Sequence, residues 1–138
     1  MKGVVLAATA AALVVSGASA ASAAAKPIRI VFGFSGGMLA PEQVTIEPTG
    51  RVVWHGFIQH PTRTRLSHAK VVSLSRSVRV AFAAGLKSRQ CHGSGQLPDL
   101  PTDYIRATGR TVRVHGRCDA PFNRLWNVLA HAVGLGYR

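Results

Sequence analysis

The chain has 138 residues, with 17 Lys plus Arg against 5 Asp plus Glu and a formal net charge of +12 at pH 7. This length leaves room for one domain with a modest core and excludes a second. The basic charge favours acidic partners such as anionic lipid headgroups, phosphate-bearing envelope polymers or nucleic acid, but it determines neither the fold nor the target.

The N-terminus has the order of a secretory signal peptide. Lys2 precedes an uncharged apolar stretch, which is followed by small residues as far as Ala25. This order predicts a signal peptide over residues 1–25 and a single secreted or envelope-associated domain over residues 26–138. Cleavage is expected after Ala20, Ala23 or Ala25. The alternative is a leader retained as a membrane anchor, because the uncharged stretch nearly spans a bilayer; a lipid anchor is not expected, since no cysteine follows the apolar stretch.

Apolar residues alternate in three segments that follow the leader. This period of two predicts strands over residues 28–34, 43–47 and 51–56. A Pro-Thr-Gly turn joins the second segment to the third, which is a hairpin signature.

Two amphipathic helices are predicted in the second half of the chain. Ser67 can cap the first, whose apolar side chains recur at helical spacing until Gly85 supplies a left-handed stop. Asp119 can cap the second, which Gly134 ends. Two further strands are predicted between the helices, over residues 103–108 and 110–116.

The predicted order is β-β-β-α-β-β-α. Short links between neighbouring strands favour antiparallel pairing. The apolar stripes of both helices can be buried by packing against one face of this sheet. The fold class is therefore α+β: a two-layer sandwich of a five-stranded, mainly antiparallel sheet with both helices on one face.

Cys91 and Cys118 are the only two cysteines. In a small exported domain an even count predicts one disulfide, which stabilises by about 3 to 4 kcal/mol in the chain-entropy account. The alternative is a two-thiol metal site with His92 as a further ligand, but metal-binding cysteines usually lie closer together, as in Cys-x2-Cys. No metal ion and no cofactor are therefore predicted.

Two features resemble parts of catalytic sites. Residues 33–37 match the Gly-x-Ser-x-Gly pattern of serine hydrolases, with Ser35 as the nucleophile, but a strand rather than a helix is predicted to follow, so a glycine turn is favoured. Asp99 and Asp103 flank Pro101 and could form a carboxylate pair, yet nothing indicates a cleft between them. No catalytic residue is predicted.

The sheet face away from the helices carries the strongest functional pattern. Alternation places there Arg29, Thr45, Arg51, His55, Tyr104, Arg106, Arg113 and His115. Such a face can bind phosphate polymers or single-stranded nucleic acid by charge and stacking. The alternative is that any open antiparallel sheet has a polar outer face. His55 and His115 would meet if their strands were neighbours.

The chain resembles small secreted proteins of unknown function from high-GC Gram-positive bacteria. The resemblance covers most of the chain after the leader and depends on segments 43–46, 48–52, 65–67, 84–86, 97–99 and 113–118, together with Cys91. It implies an extracellular compartment and a disulfide, and it carries over no active site.

The leading prediction is therefore an exported, non-enzymatic domain that binds an anionic polymer, a membrane surface or another protein. One alternative is an inhibitor of secreted hydrolases, because a disulfide-linked scaffold can preorganise the loop over residues 87–102 for a protease. A small secreted hydrolase is the third possibility. The sequence predicts no oligomeric state.

Overall fold

The residues that the sequence predicts as strands and helices form those elements, and the structure adds one short strand. A computed structural model describes residues 25–38, 40–56, 60–91 and 100–136. In chain order its elements are β1 (Ile30–Ser35), β2 (Glu42–Ile46), β3 (Val52–His55), α1 (His68–Ala83), β4 (Arg89–Gln90), β5 (Thr102–Ala107), β6 (Arg110–His115) and α2 (Ala120–Val133). The α+β class is confirmed.

The sheet has six strands in the order β3-β2-β1-β5-β6-β4. Four of the five pairings are antiparallel, and β4 pairs parallel to β6. The prediction of five mainly antiparallel strands is wrong in this detail, because the sheet is mixed and has a sixth strand. β4 has only two residues, which is too short for an alternating pattern to show.

One face of the sheet, which we call the inner face, packs against both helices. Phe32 and Ile105 lie at its centre and are fully buried. The Phe32 ring meets the Trp126 ring of α2 edge to face, with centroids 5.7 Å apart. The apolar stripes of the two helices join the same buried cluster through Val71, Leu74, Val78, Phe82, Phe122, Leu125, Leu129 and Val133. Both helices therefore lie on one face.

The predicted helix ends are confirmed. The Ser67 hydroxyl accepts a hydrogen bond from the Lys70 amide at 3.2 Å, and Asp119 Oδ1 accepts one from the Phe122 amide at 2.9 Å. These contacts satisfy backbone donors that the first turn of a helix leaves unpaired. Gly134 closes α2 in the left-handed region, at φ 77°.

The predicted disulfide between Cys91 and Cys118 is present, so neither thiol is available as a metal ligand. It lies beside β4, where the Cys91 amide donates to the His115 carbonyl at 2.9 Å. Arg89 Nε of β4 also lies 3.5 Å from the Asp119 carboxylate, which is almost fully buried. Three contacts thus fix the short edge strand to β6 and to the start of α2.

The predicted signal peptide lies outside the described residues, apart from Ala25. Within the described ranges, no helix has both the length and the apolar character needed to cross a membrane. A disulfide is typical of oxidising compartments and is consistent with an extracellular location.

The turn between β5 and β6 holds a backbone conformation that its sequence disfavours. Thr108 has φ 50° and Gly109 has φ 74°, as in the two-residue hairpin turns that prefer Asn-Gly. A β-branched residue is rarely found in this region. We expect Thr108→Asn to raise the free energy of unfolding by roughly 0.5 to 1 kcal/mol, measured by urea denaturation.

Thr108→Val is the matched control for this turn, because it keeps the branched Cβ and removes only the hydroxyl. That hydroxyl donates to the Ala107 carbonyl at 2.8 Å. The valine variant should be no more stable than the wild type. A loss of stability in Thr108→Asn would mean that the hydroxyl contact outweighs the backbone strain.

Candidate anion-binding face

The sheet face opposite the helices, which we call the outer face, holds the residues that alternation predicts there. The strand registers place on it Val31, Gly33, Ser35, Gln43, Thr45, Val53, His55, Thr102, Tyr104, Arg106, Thr111, Arg113 and His115. Alternation extends the same face to Arg29, Glu47 and Arg51, which lie just outside the paired residues. The four arginines and His55 are exposed, whereas Tyr104 and His115 are half-buried. The seven candidate binding residues therefore share one face.

The two histidines of this face do not meet. His55 lies on β3 at one edge of the sheet, and His115 lies on β6, four strands away. At the usual strand spacing their backbones are about 19 Å apart. The condition for a contact between His55 and His115 is therefore not met, because their strands are not neighbours. His115 Nδ1 instead lies 3.2 Å from the Thr102 hydroxyl on the neighbouring strand.

The charge on the outer face is strongly one-sided. Within the described ranges, Glu47 is the only carboxylate on this face, where alternation from Ile46 places it. Its Oε1 lies 3.5 Å from Arg29 Nε, and both side chains remain partly exposed. An exposed pair of this kind is weak, so the arginines leave a net positive surface.

The Tyr104 side chain crosses the centre of the sheet. Gly33 of β1 is the register partner of both Tyr104 on β5 and Gln43 on β2. The Tyr104 hydroxyl nevertheless donates to Gln43 Oε1 at 3.1 Å, so its ring spans β1. Gly33 has no side chain to obstruct this path, and the ring therefore lies along the sheet surface.

The ionisation state of Tyr104 favours this hydrogen bond. Burial raises the pKa of its hydroxyl above the usual value of 10.0, and the positive charges of Arg106 and Arg113 oppose the shift. Burial is the larger effect, so the hydroxyl stays protonated at neutral pH and can donate its hydrogen bond to Gln43.

A shallow depression of about 470 Å³ lies on the outer face and includes Gln43, the residue that accepts the Tyr104 hydrogen bond. Its lining also includes the apolar side chain of Val31, with Arg29, Arg106 and Thr111 around it. Arg106 Nε donates to the Thr111 hydroxyl at 3.2 Å. That contact holds the guanidinium on the sheet through Nε, so its two terminal amino groups can bind a phosphate or carboxylate in bidentate fashion.

Sequence analysis missed three residues of this site: Gln43, Thr111 and Gly33. Alternation alone would have placed Gln43 and Thr111 on the outer face beside Thr45 and Arg113. The role of Gly33 depends on the register of three strands, which no local pattern reveals. Thr45 is on this face as predicted, but it is buried.

Two of the candidate catalytic residues, Ser35 and Asp103, lie on neighbouring strands but on opposite faces of the sheet. Ser35 ends β1 and is exposed, and the next element in the chain is β2 rather than a helix. Asp99 lies outside the described residues. Asp103 lies within β5, in agreement with the strand predicted over residues 103–108, and faces the inner side of the sheet. Among the described residues, no three His, Cys, Asp or Glu side chains are close enough to hold a metal ion.

The loop proposed to contact proteases is described only at its ends. Cys91 fixes one end through the disulfide, and β5 begins at Thr102 at the other. The central residues of this loop, 92–99, which include His92, lie outside the described residues.

Comparison with protein-family models, with curated proteins and with solved structures finds no match for this chain. Its function therefore has to be inferred from its own residues.

Proposed function

We propose that this chain is an exported, non-enzymatic binding domain whose outer face engages anionic polymers, such as those of the cell envelope. The observation that carries the proposal is the charge of that face, on which, among the described residues, four arginines accompany the single carboxylate of Glu47. Arginine binds phosphate and carboxylate groups in bidentate geometry. The disulfide supports export, because such bonds persist in oxidising compartments.

The arrangement of the arginines favours an extended ligand over a small anion. Arg51 lies beside β3 near one edge of the sheet, and Arg113 lies on β6 near the other. Arg106 lies between them on β5. Charges spread over about 15 to 20 Å of sheet can contact several groups of one polymer, and each contact releases a counterion.

The test is the salt dependence of binding to a labelled inorganic polyphosphate, followed by fluorescence anisotropy. We expect log K to fall linearly with log salt concentration. Replacing Arg51, Arg106 and Arg113 with alanine should weaken binding and reduce the slope by about 2, since each lost phosphate contact to a flexible strand removes about 0.7.

The matched control removes the same charge from the opposite side of the molecule. Lys70 and Arg76 on α1 and Arg124 on α2 are all exposed on the helical layer. Their triple alanine variant should bind polyphosphate nearly as well as the wild type. Equal losses in the two triple variants, or binding that ignores salt, would refute a specific role for the outer face.

Glu47→Gln provides a change of opposite sign in the same assay. It removes the one carboxylate that repels an anionic ligand and frees Arg29 from its ion pair. We expect polyphosphate affinity to rise about twofold to fivefold, the range that an exposed ion pair of this kind supports. An unchanged or lower affinity would place the binding surface elsewhere.

A further inference from the structure

The Tyr104 ring is positioned as a stacking surface. Its hydroxyl is fixed by Gln43 on one side and its Cα by β5 on the other, with Gly33 beneath the ring. A ring that lies flat and is already fixed loses little conformational entropy when a ligand covers it. Tyr104 is only half-buried, so part of the ring is open to solvent.

Two arginines lie next to Tyr104 on the outer face. Arg113 is the register partner of Tyr104 on β6, and Arg106 lies two residues further along β5, on the same face. These neighbours are about 5 to 7 Å from Tyr104 along the sheet. Both guanidinium groups are close enough to act electrostatically on the Tyr104 hydroxyl. A ligand ring on Tyr104 would therefore lie near two cations.

The depression on the outer face favours a ligand with rings over a bare polyanion. Its lining combines Val31 with Arg29 and Arg106, and its volume of about 470 Å³ is sufficient for a group of nucleotide size. Inorganic polyphosphate would gain from the arginines but not from Val31 or the Tyr104 ring.

A lipid surface fits the outer face poorly. The large apolar side chains that are exposed among the described residues are Met38, Val80 and Val128. They lie in the turn after β1 and on the two helices, and none belongs to a strand of the sheet. Binding at a membrane interface usually buries exposed apolar side chains, and the outer face supplies none of these three.

We propose that the outer face binds single-stranded nucleic acid, with one base stacked on the Tyr104 ring and neighbouring phosphates bound by Arg106 and Arg113. This inference rests on the proposed function, and it adds the recognition of a base ring to the recognition of phosphate charge. Single strands are favoured over duplexes because their bases can be turned outward to stack on an aromatic side chain.

The decisive comparison uses the wild-type chain and two ligands of equal charge. One is a labelled oligothymidylate, and the other is a deoxyribose-phosphate oligomer of the same length without bases. We expect oligothymidylate to bind at least about fivefold more tightly, as stacking of one base on an aromatic side chain provides. A duplex and an acidic polysaccharide of matched charge should bind no better than the oligomer without bases.

Equal affinity for the two oligomers would overturn the inference and leave the proposed function intact, because charge alone would then account for binding. Tighter binding of the polysaccharide than of oligothymidylate would identify a sugar polymer as the partner and would also overturn the inference. Failure of all these ligands and of polyphosphate to bind would overturn the proposed function itself.

Variants of Tyr104 test the position of the stacked base. Tyr104→Leu keeps an apolar side chain but removes the ring, so we expect oligothymidylate affinity to fall to that of the oligomer without bases. The salt slope should not change, since no phosphate contact is lost. Tyr104→Phe keeps the ring and loses only the contact with Gln43, and it should retain most of the preference. If Tyr104→Leu still bound oligothymidylate more tightly than the oligomer without bases, the stacked base would not lie on Tyr104.

Discussion

Replacing both Cys91 and Cys118 with alanine is expected to lower the free energy of unfolding by about 3 to 4 kcal/mol. The bond joins residues 27 positions apart, so its loss restores a large set of unfolded conformations. Small domains are stable by only about 5 to 15 kcal/mol. Removing this bond should therefore consume a large part of the total stability, as measured by urea denaturation of the oxidised wild type and the double variant.

The loss should also have a local effect on β4. Its parallel ladder with β6 covers two residues, and the Arg89–Asp119 ion pair is exposed on its arginine side. Neither contact is strong enough to hold a two-residue edge strand without the covalent link. The amide of residue 91, which donates to the His115 carbonyl in the wild type, should exchange its hydrogen much faster in the variant.

A reducing agent is the internal control for this prediction. It should lower the stability of the wild type to that of the double alanine variant and should leave the variant unchanged. A difference below about 1 kcal/mol between the oxidised wild type and the variant would contradict the expectation, because the chain-entropy account predicts a much larger one for this loop.

The sequence predicted most of the fold because its signals are local. Each of the five longer strands alternates over four to six residues, and Ser67, Asp119 and Gly134 mark helix ends through contacts within one turn. β4 has no such signal, since its two residues become a strand only because the disulfide and β6 hold them there.

The candidate site could be predicted only as a set of residues on one face. Alternation identified the arginines, the histidines and Tyr104, but not which of them are neighbours. That depends on β1 lying between β2 and β5, a long-range arrangement with no local signature. For the same reason alternation could not show whether His55 and His115 lie on neighbouring strands, and the contact of Tyr104 with Gln43 across β1 was missed.

The second large effect is expected at Gly33, where a single methyl group should disrupt the centre of the sheet. A Cβ built there would overlap the main-chain carbonyl oxygen of Glu42 on the neighbouring strand. No side-chain rotation can relieve a clash with backbone. The Gly33 carbonyl is also held from the inner face by Trp126 Nε1, at 3.4 Å, which restricts movement of β1 away from β2.

We therefore expect Gly33→Ala to lower the free energy of unfolding by about 3 kcal/mol or more, at or beyond the upper end of the usual cost of overpacking. Two other glycines separate this clash from general effects of alanine. Gly136 has open space around its Cβ position and no positive φ, so Gly136→Ala should be neutral. Gly36 also has open space but has φ 79°, so Gly36→Ala should cost only about 1 kcal/mol.

Urea denaturation of the three alanine variants would rank these effects directly. If Gly33→Ala proved no more destabilising than Gly36→Ala, β1 and β2 would have to separate at little cost, and the close approach at Gly33 would not be a constraint on the fold. The same result would remove the reason for a glycine beneath the Tyr104 ring. We expect Gly33→Ala to have a much lower free energy of unfolding than the other two variants. That result would show that the Tyr104 ring crosses β1 at a position that tolerates no side chain.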